Sequence, residues 1–249
     1  MGDGTKKPGA KGFSGRPLKV RVKTARKRAP ASTLWLERQL NDPYVAQAKR
    51  DQYRSRAAYK LLEIDARYRL LKPGQTIVDL GAAPGSWSQI AAGRVGAAQG
   101  RGRIIAVDLR PIDPIAGVHF ACLDFLAEDA PERLKTMLGG RADGVLSDMA
   151  ANATGHRKTD HLRIVALAEF AGAFARQVLK SGGFFLAKVL QGGTEHALLT
   201  DLKRDFASVR HVKPAASRTE SAELYVLATG YRGTAADAKP RAAEEAADE

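Results

Sequence analysis

The chain has 249 residues, 44% of them hydrophobic, and its 40 Lys+Arg against 27 Asp+Glu give a formal charge of +13 and a pI near 10.0. That length and apolar content suit one full α/β domain and exclude wholesale disorder, while the charge excess points to a polyanionic partner. The single cysteine, Cys122, excludes an intramolecular disulfide and a Cys-rich metal site, and the five histidines have no metal-ligand spacing.

In chain order, residues 1–31 come first; the first thirty carry ten basic side chains and one acid, Asp3. They have no apolar period and read as a disordered basic arm. A signal peptide is not expected, because no apolar stretch follows the basic start. Residues 32–232 read as the folded domain. Its elements begin with a helix over 55–71, stopped by Lys72-Pro73-Gly74, then the strand TIVDL (76–80), the turn GAAPGS and a helix opening near Ser86 or Trp87. RIIAVDL (103–109), VHFACLD (118–124), GVLSDM (144–149), GFFLAKVL (183–190), VRHVKP (209–214) and ELYVLAT (223–229) complete seven strands, with helices over 160–180 and 194–206. The most apolar helical run, Ile164 to Ala175, is broken by Glu169 and too short to span a bilayer. A soluble, cytoplasmic protein is expected. Residues 233–249 read as a second disordered tail. Strand–helix alternation predicts an α/β, Rossmann-like fold: a mostly parallel seven-stranded sheet with helices on both faces.

In such sheets ligands bind beyond the carboxyl ends of the strands. Asp79, Asp108, Asp124 and Asp148 fall at four successive strand ends. One such aspartate is ordinary turn chemistry; four in succession suggest a site. The loop GAAPG is neither G-x-G-x-x-G, since Ala83 replaces the second glycine, nor a P-loop. A glycine turn without phosphate-binding design suits an adenosine ligand lacking phosphate, S-adenosylmethionine. Asp108 is placed for its ribose hydroxyls, Asp124 for the adenine amino group and Trp87 as a wall or as plain core. Lys188 lies within an apolar strand and Lys60 among apolar helix residues, where lysine is seldom buried unless paired. Snorkelling accounts for Lys60 alone; Lys188, near a strand's carboxyl end, points to function.

Taken together, SRAAYKL, VDLGAAPGSWSQ, RIIAVDLRPIDPIAGVHF, LSDMAAN, FLAKVLQG and SRTESAELYVLATG resemble the FtsJ/RlmE family of ribosomal RNA large-subunit 2′-O-methyltransferases, from about Trp35 to Gly230. The resemblance implies a catalytic tetrad of Lys60, Asp148, Lys188 and a glutamate. Glu220 and Glu223 are both near, and the family pattern S-x-E-x-Y selects Glu223. It also implies S-adenosylmethionine binding by Gly85, Trp87, Asp108, Asp124 and Asp148, and no metal. Two positions depart from the family pattern: Ser86 in PGSW, a fitting helix N-cap, and Ala151 where a proline would stiffen the loop after Asp148.

The expected reaction is methylation of a uridine 2′-oxygen in large-subunit (23S) ribosomal RNA, within the assembling large subunit and by a monomer. Transfer RNA as substrate, and a catalytically silent RNA-binding assembly protein, are the alternatives. Transfer needs the hydroxyl positioned and its proton removed by a base matched to working pH. Burial and the Lys60 ammonium would push Lys188 toward that range, with Asp148 opposing. Alternatively, both lysines act as electrostatic clamps on a developing alkoxide.

Overall fold

The computed structural model describes residues 20–151, 154–192, 196–218 and 221–233. The chain divides into two units, residues 1–46 and 47–249. In the first, a 3-10 turn over Ala25–Lys27 precedes helix α1 (Pro30–Leu40), which opens on a proline, the residue that loses nothing at a first helical position. The Asn41 side chain accepts from the Val20 N–H at 2.7 Å and donates to the carbonyls of Val20 and Glu37 at 2.9 and 2.7 Å. One amide thus ties the segment at Val20 to the end of α1, which the composition of that segment does not signal. Residues 1–19 of the expected arm and 234–249 of the expected tail lie outside the described residues.

After α2 (Pro43–Arg50), the second unit runs α3 (Ala57–Tyr68), β1 (Thr76–Leu80), α4 (Ser86–Val95), β2 (Arg103–Asp108), β3 (Val118–Cys122), α5 (Ala130–Leu138), β4 (Ala142–Ser147), α6 (Arg157–Val178), β5 (Leu179–Leu190), α7 (His196–Asp205), β6 (Phe206–Val212) and β7 (Glu223–Tyr231). All seven expected strands are present, in the order β3-β2-β1-β4-β5-β7-β6. The first five are parallel, and β7 runs antiparallel to both its neighbours. The link from Val212 to Glu223 is too short for a parallel crossover, which needs roughly a dozen residues or more, so the chain turns back on itself. Helix α5 was not foreseen, although Ala130, Leu134 and Leu138 at helical spacing are its buried stripe.

Strand residues alternate between two cores. Ile77, Ile104, Leu146, Phe184, Leu186 and Leu227 meet α3 and α4, whereas Val78, Ile105, Val145, Phe185, Val189 and Val226 meet α5, α6 and α7. With both faces covered, these strands are apolar throughout. A polar residue inside one of them therefore stands out.

Candidate active site

That alternation assembles the site. Lys188 shares a parity with Phe184 and Leu186, and Glu223 and Tyr225 share one with Leu227, so all three project toward α3. The antiparallel register sets Lys188 opposite Tyr225 and Leu190 opposite Glu223. From α3, the Lys60 ammonium reaches Glu223 Oε1 at 2.7 Å. Lys188 Nζ donates to the Asp148 carbonyl at 2.7 Å and to Asp148 Oδ1 at 3.1 Å, and lies 3.9 Å from Glu223 Oε1. Asp148 follows β4 directly, its N–H bonded to Leu80 O at 3.2 Å. The four residues expected to act together are therefore adjacent. Lys60 is 9% exposed and Lys188 8%, so neither snorkels to solvent; each is buried by pairing. Glu220 lies outside the described residues.

Removing one partner from such a pair leaves an uncompensated buried charge, at a cost of ~3–5 kcal/mol. Tyr225 adds a hydrogen bond from its hydroxyl to Asp148 Oδ1 at 2.9 Å. Burial pushes Asp148 up, but the Lys188 and Lys60 ammonium groups and these hydrogen bonds outweigh it and hold the carboxyl below its ordinary value. The Tyr225 phenol is pushed well up by burial and by the Asp148 and Glu223 carboxylates, so it stays a neutral donor.

The acidic residues line the neighbouring strand ends. Asp108 closes β2, its Oδ2 accepting from Ala83 N–H at 2.9 Å and its Oδ1 from Arg110 N–H at 2.8 Å. Asp124 is exposed two residues beyond β3 and accepts from Leu126 N–H at 2.9 Å. Asp79 is fully buried in β1, where Ser88 Oγ donates to Oδ2 at 2.6 Å and Oδ1 has no partner. Burial first, then the Asp148 and Asp108 charges, raise its carboxyl to about 7 despite Ser88.

Between these carboxylates the turn is held open by glycine. Gly81 has φ +77°, and a Cβ there would sit 2.8 Å from Met149 Cα; Gly85 has φ +102°, and a Cβ would meet the Arg54 guanidinium at 2.7 Å. Trp87 resolves toward the core: it is 2% exposed, its Nε1–H donates to Ala57 O at 3.0 Å, and its ring lies 5.5 Å from that of Tyr225.

Sequence reasoning passed over Arg54. Its guanidinium donates to Pro84 O at 3.0 Å, Asp113 O at 2.8 Å and Pro114 O at 3.0 Å, strapping the glycine turn to the loop after β2. Arg56 donates to Ala216 O, and Ala216 N–H donates to Glu63 at 3.0 Å, so α3 also holds the loop that delivers Glu223. No local pattern marks such residues, because their partners are backbone groups distant in sequence. Tyr225 was legible only as the tyrosine of S-x-E-x-Y.

The chain resembles proteins of known class over almost its whole length. It is 69% identical over 225 residues to the ribosomal RNA large subunit methyltransferase E of Xanthobacter autotrophicus, covering 90% of this chain and 89% of that one. Against the protein of the same name from Rhodopseudomonas palustris the identity is 64% over 235 residues, covering 94% and 99%. Among solved structures, one described as a ribosomal RNA methyltransferase of Plasmodium falciparum superposes with a TM-score of 0.65 at 32% identity, over 73% of this chain and all of that one. The profile of the FtsJ-like methyltransferases matches residues 53–231. With its Rossmann-like sheet and this agreement over most of its length, the chain is an enzyme of the FtsJ-like methyltransferase family.

Proposed function

We propose that the protein transfers a methyl group from S-adenosylmethionine to the 2′-oxygen of a uridine ribose in large-subunit (23S) ribosomal RNA, acting as a cytoplasmic monomer on the assembling subunit. The observation that carries this reading is the pair of buried lysines converging on Glu223 beside Asp148, next to an acidic glycine turn. The names of the relatives, matched nearly end to end, support ribosomal over transfer RNA. A catalytically silent protein has no evident use for two buried lysines paired with Asp148 and Glu223.

The turn suits the proposed cofactor. Asp108, Asp148 and the partly ionised Asp79 would repel a pyrophosphate and favour an ammonium or a sulfonium. Each Asp108 oxygen accepts one backbone N–H; Oδ2 keeps a lone pair for a ribose hydroxyl, while Oδ1 also has the Arg110 Nε 3.7 Å away. Asp124 would take the adenine amino group, with Gly85 and the backbone of Trp87 bordering the ligand. When bound, the cofactor supplies an electrophilic methyl group on a sulfonium.

The chain's own residues do the rest. Asp148 O and Oδ1 accept two N–H groups of Lys188, so a neutral amine would have its lone pair left to receive the proton of the 2′-hydroxyl. Asp148 orients that amine and favours positive charge beside it. The Lys60 ammonium, held by Glu223, stabilises negative charge developing on the ribose oxygen.

The test is incubation of purified protein with methyl-labelled S-adenosylmethionine and large ribosomal subunits, free 23S RNA or transfer RNA, followed by nucleoside analysis. Labelled 2′-O-methyluridine from large-subunit RNA is expected. Label in transfer RNA alone would overturn the substrate, and label on a base would overturn the reaction.

A further inference from the structure

Helix α3 leads away from the site, and its far end meets the edge strand β6 at a second cationic cluster. The guanidinium carbons of Arg67, in the last turn of α3, and of Arg210, in β6, lie 5.2 and 5.6 Å from the centre of the Tyr68 ring. Both arginines are exposed, as is Arg69 at the end of α3, and Tyr68 is half-buried between them. Ion pairs among the described residues engage Arg94, Arg110, Arg133, Arg176 and Arg204, but none of these three. Arg210 spends one N–H group on Ser208 Oγ at 2.7 Å. The ring attracts each cation, yet the two repel each other. The fold gains little from gathering them there, and most of their guanidinium donors are left to face outward.

The cluster is continuous with the site. Arg67 lies two helical turns, ~10 Å, beyond Lys60 on α3. On the sheet, Arg210 pairs with Leu227, Val212 with Tyr225, and Glu223 begins the same strand. Lys213, exposed just past β6, donates to Ser221 O at 2.9 Å. At ~3.4 Å per stacked nucleotide the track spans roughly three or four nucleotides.

We propose that Arg67, Tyr68, Arg69 and Arg210 form a second RNA-contact surface, which grips the phosphate backbone flanking the nucleotide presented to Lys188. The proposal rests on the reading that the substrate is RNA. Guanidinium forks bind phosphate oxygens in pairs, and an exposed guanidinium plane can stack on an unpaired base. The surface positions the strand and does not touch the reacting atoms.

The test is the full chain carrying Arg67→Gln with Arg210→Gln, compared with Arg133→Gln with Lys135→Gln. The second pair lies on α5, which packs on the other face of the sheet, and lowers the net charge equally. Binding of a single-stranded RNA fragment of the large subunit is followed against salt, and methylation against RNA concentration. For Arg67→Gln/Arg210→Gln, the slope of log affinity against log salt should fall by about 1.4, at ~0.7 for each phosphate no longer neutralised. Its KM for RNA should rise about tenfold, with kcat and S-adenosylmethionine affinity unchanged. The α5 pair should leave both slope and KM alone. An unchanged slope, or equal changes in the two double variants, would overturn the proposal. So would tighter binding of wild type to phosphatidylserine vesicles than to RNA, abolished by replacing the two arginines. If wild-type protein binds RNA but places no methyl on a ribose, the functional reading fails, and the salt slopes still decide whether this surface holds RNA.

Discussion

The two halves of the sheet solve different problems. In the parallel half, β3-β2-β1-β4, the chemistry sits at strand ends: Asp108 closes β2, Asp148 follows β4, and the glycine turn follows β1. In the half built from β5, β7 and β6 it sits on strand interiors and faces, with Lys188 inside β5, Tyr225 inside β7 and Arg210 inside β6. The first half is acidic at its mouth and suits a cation. The second is basic along one face and suits a polyanion. Asp148, bonded to both Lys188 and Tyr225, joins them.

The sharpest way to break this comparison is Lys188→Met, which keeps most of the stem's bulk and removes the amine. Single-turnover methylation should fall ~10²–10⁴-fold, the range of a positioned proton-transfer group, while S-adenosylmethionine affinity measured by calorimetry stays within a few-fold. A near wild-type rate would return Lys188 to the core. Raising the pH should not rescue the variant, because no amine remains at that position.

Asp79 sharpens the parallel half. Its folded-state carboxyl titrates at about 7 against 3.8 when unperturbed, so between those values the folded protein holds a proton that the unfolded chain has lost. This group's contribution to stability should therefore decline as pH rises from about 4 to about 7, by a few kcal/mol at most. Asp79→Asn keeps an acceptor for Ser88 and cannot ionise. Its stability relative to wild type, from urea titrations without cofactor, should rise through that window and then stay level. A difference independent of pH would mean that Asp79 is not perturbed as described.

Asp108→Ala carries a smaller expected effect than Lys188→Met. Loss of its ribose acceptors should weaken S-adenosylmethionine binding ~10–100-fold, at ~1.5–3 kcal/mol for hydrogen bonds to a charged group, without opening a core cavity. An unchanged dissociation constant would remove Asp108 from the cofactor site. RNA binding should be untouched, in contrast to the losses expected at Arg67 and Arg210.

The contrast also explains what could be read from sequence. Elements of the parallel half announce themselves, because a short apolar run with an Asp at its end is local in the chain. All seven strands were legible as short runs of β-branched and aliphatic residues bounded by turn residues. The antiparallel sense of β7 was not, since it depends on a link too short to cross over. Lys188 stood out as a charge in an apolar strand, but its union with Lys60 and Glu223 came only through resemblance to a family; the alternation that aims all three at one face needs the register. Trp87 was weighed as a wall of the cofactor site, and the structure gives its ring to the core. Arg54 could not have been found, because its three acceptors are carbonyls 30 to 60 residues away.

The most direct test of the whole account is a map of 2′-O-methyl groups on 23S RNA from cells lacking this protein, complemented with the wild-type chain or with Lys188→Met. One 2′-O-methyluridine should vanish in the deletion, return with wild type and remain absent with Lys188→Met made at equal abundance. Its persistence in the deletion, or its return with Lys188→Met, would contradict the account.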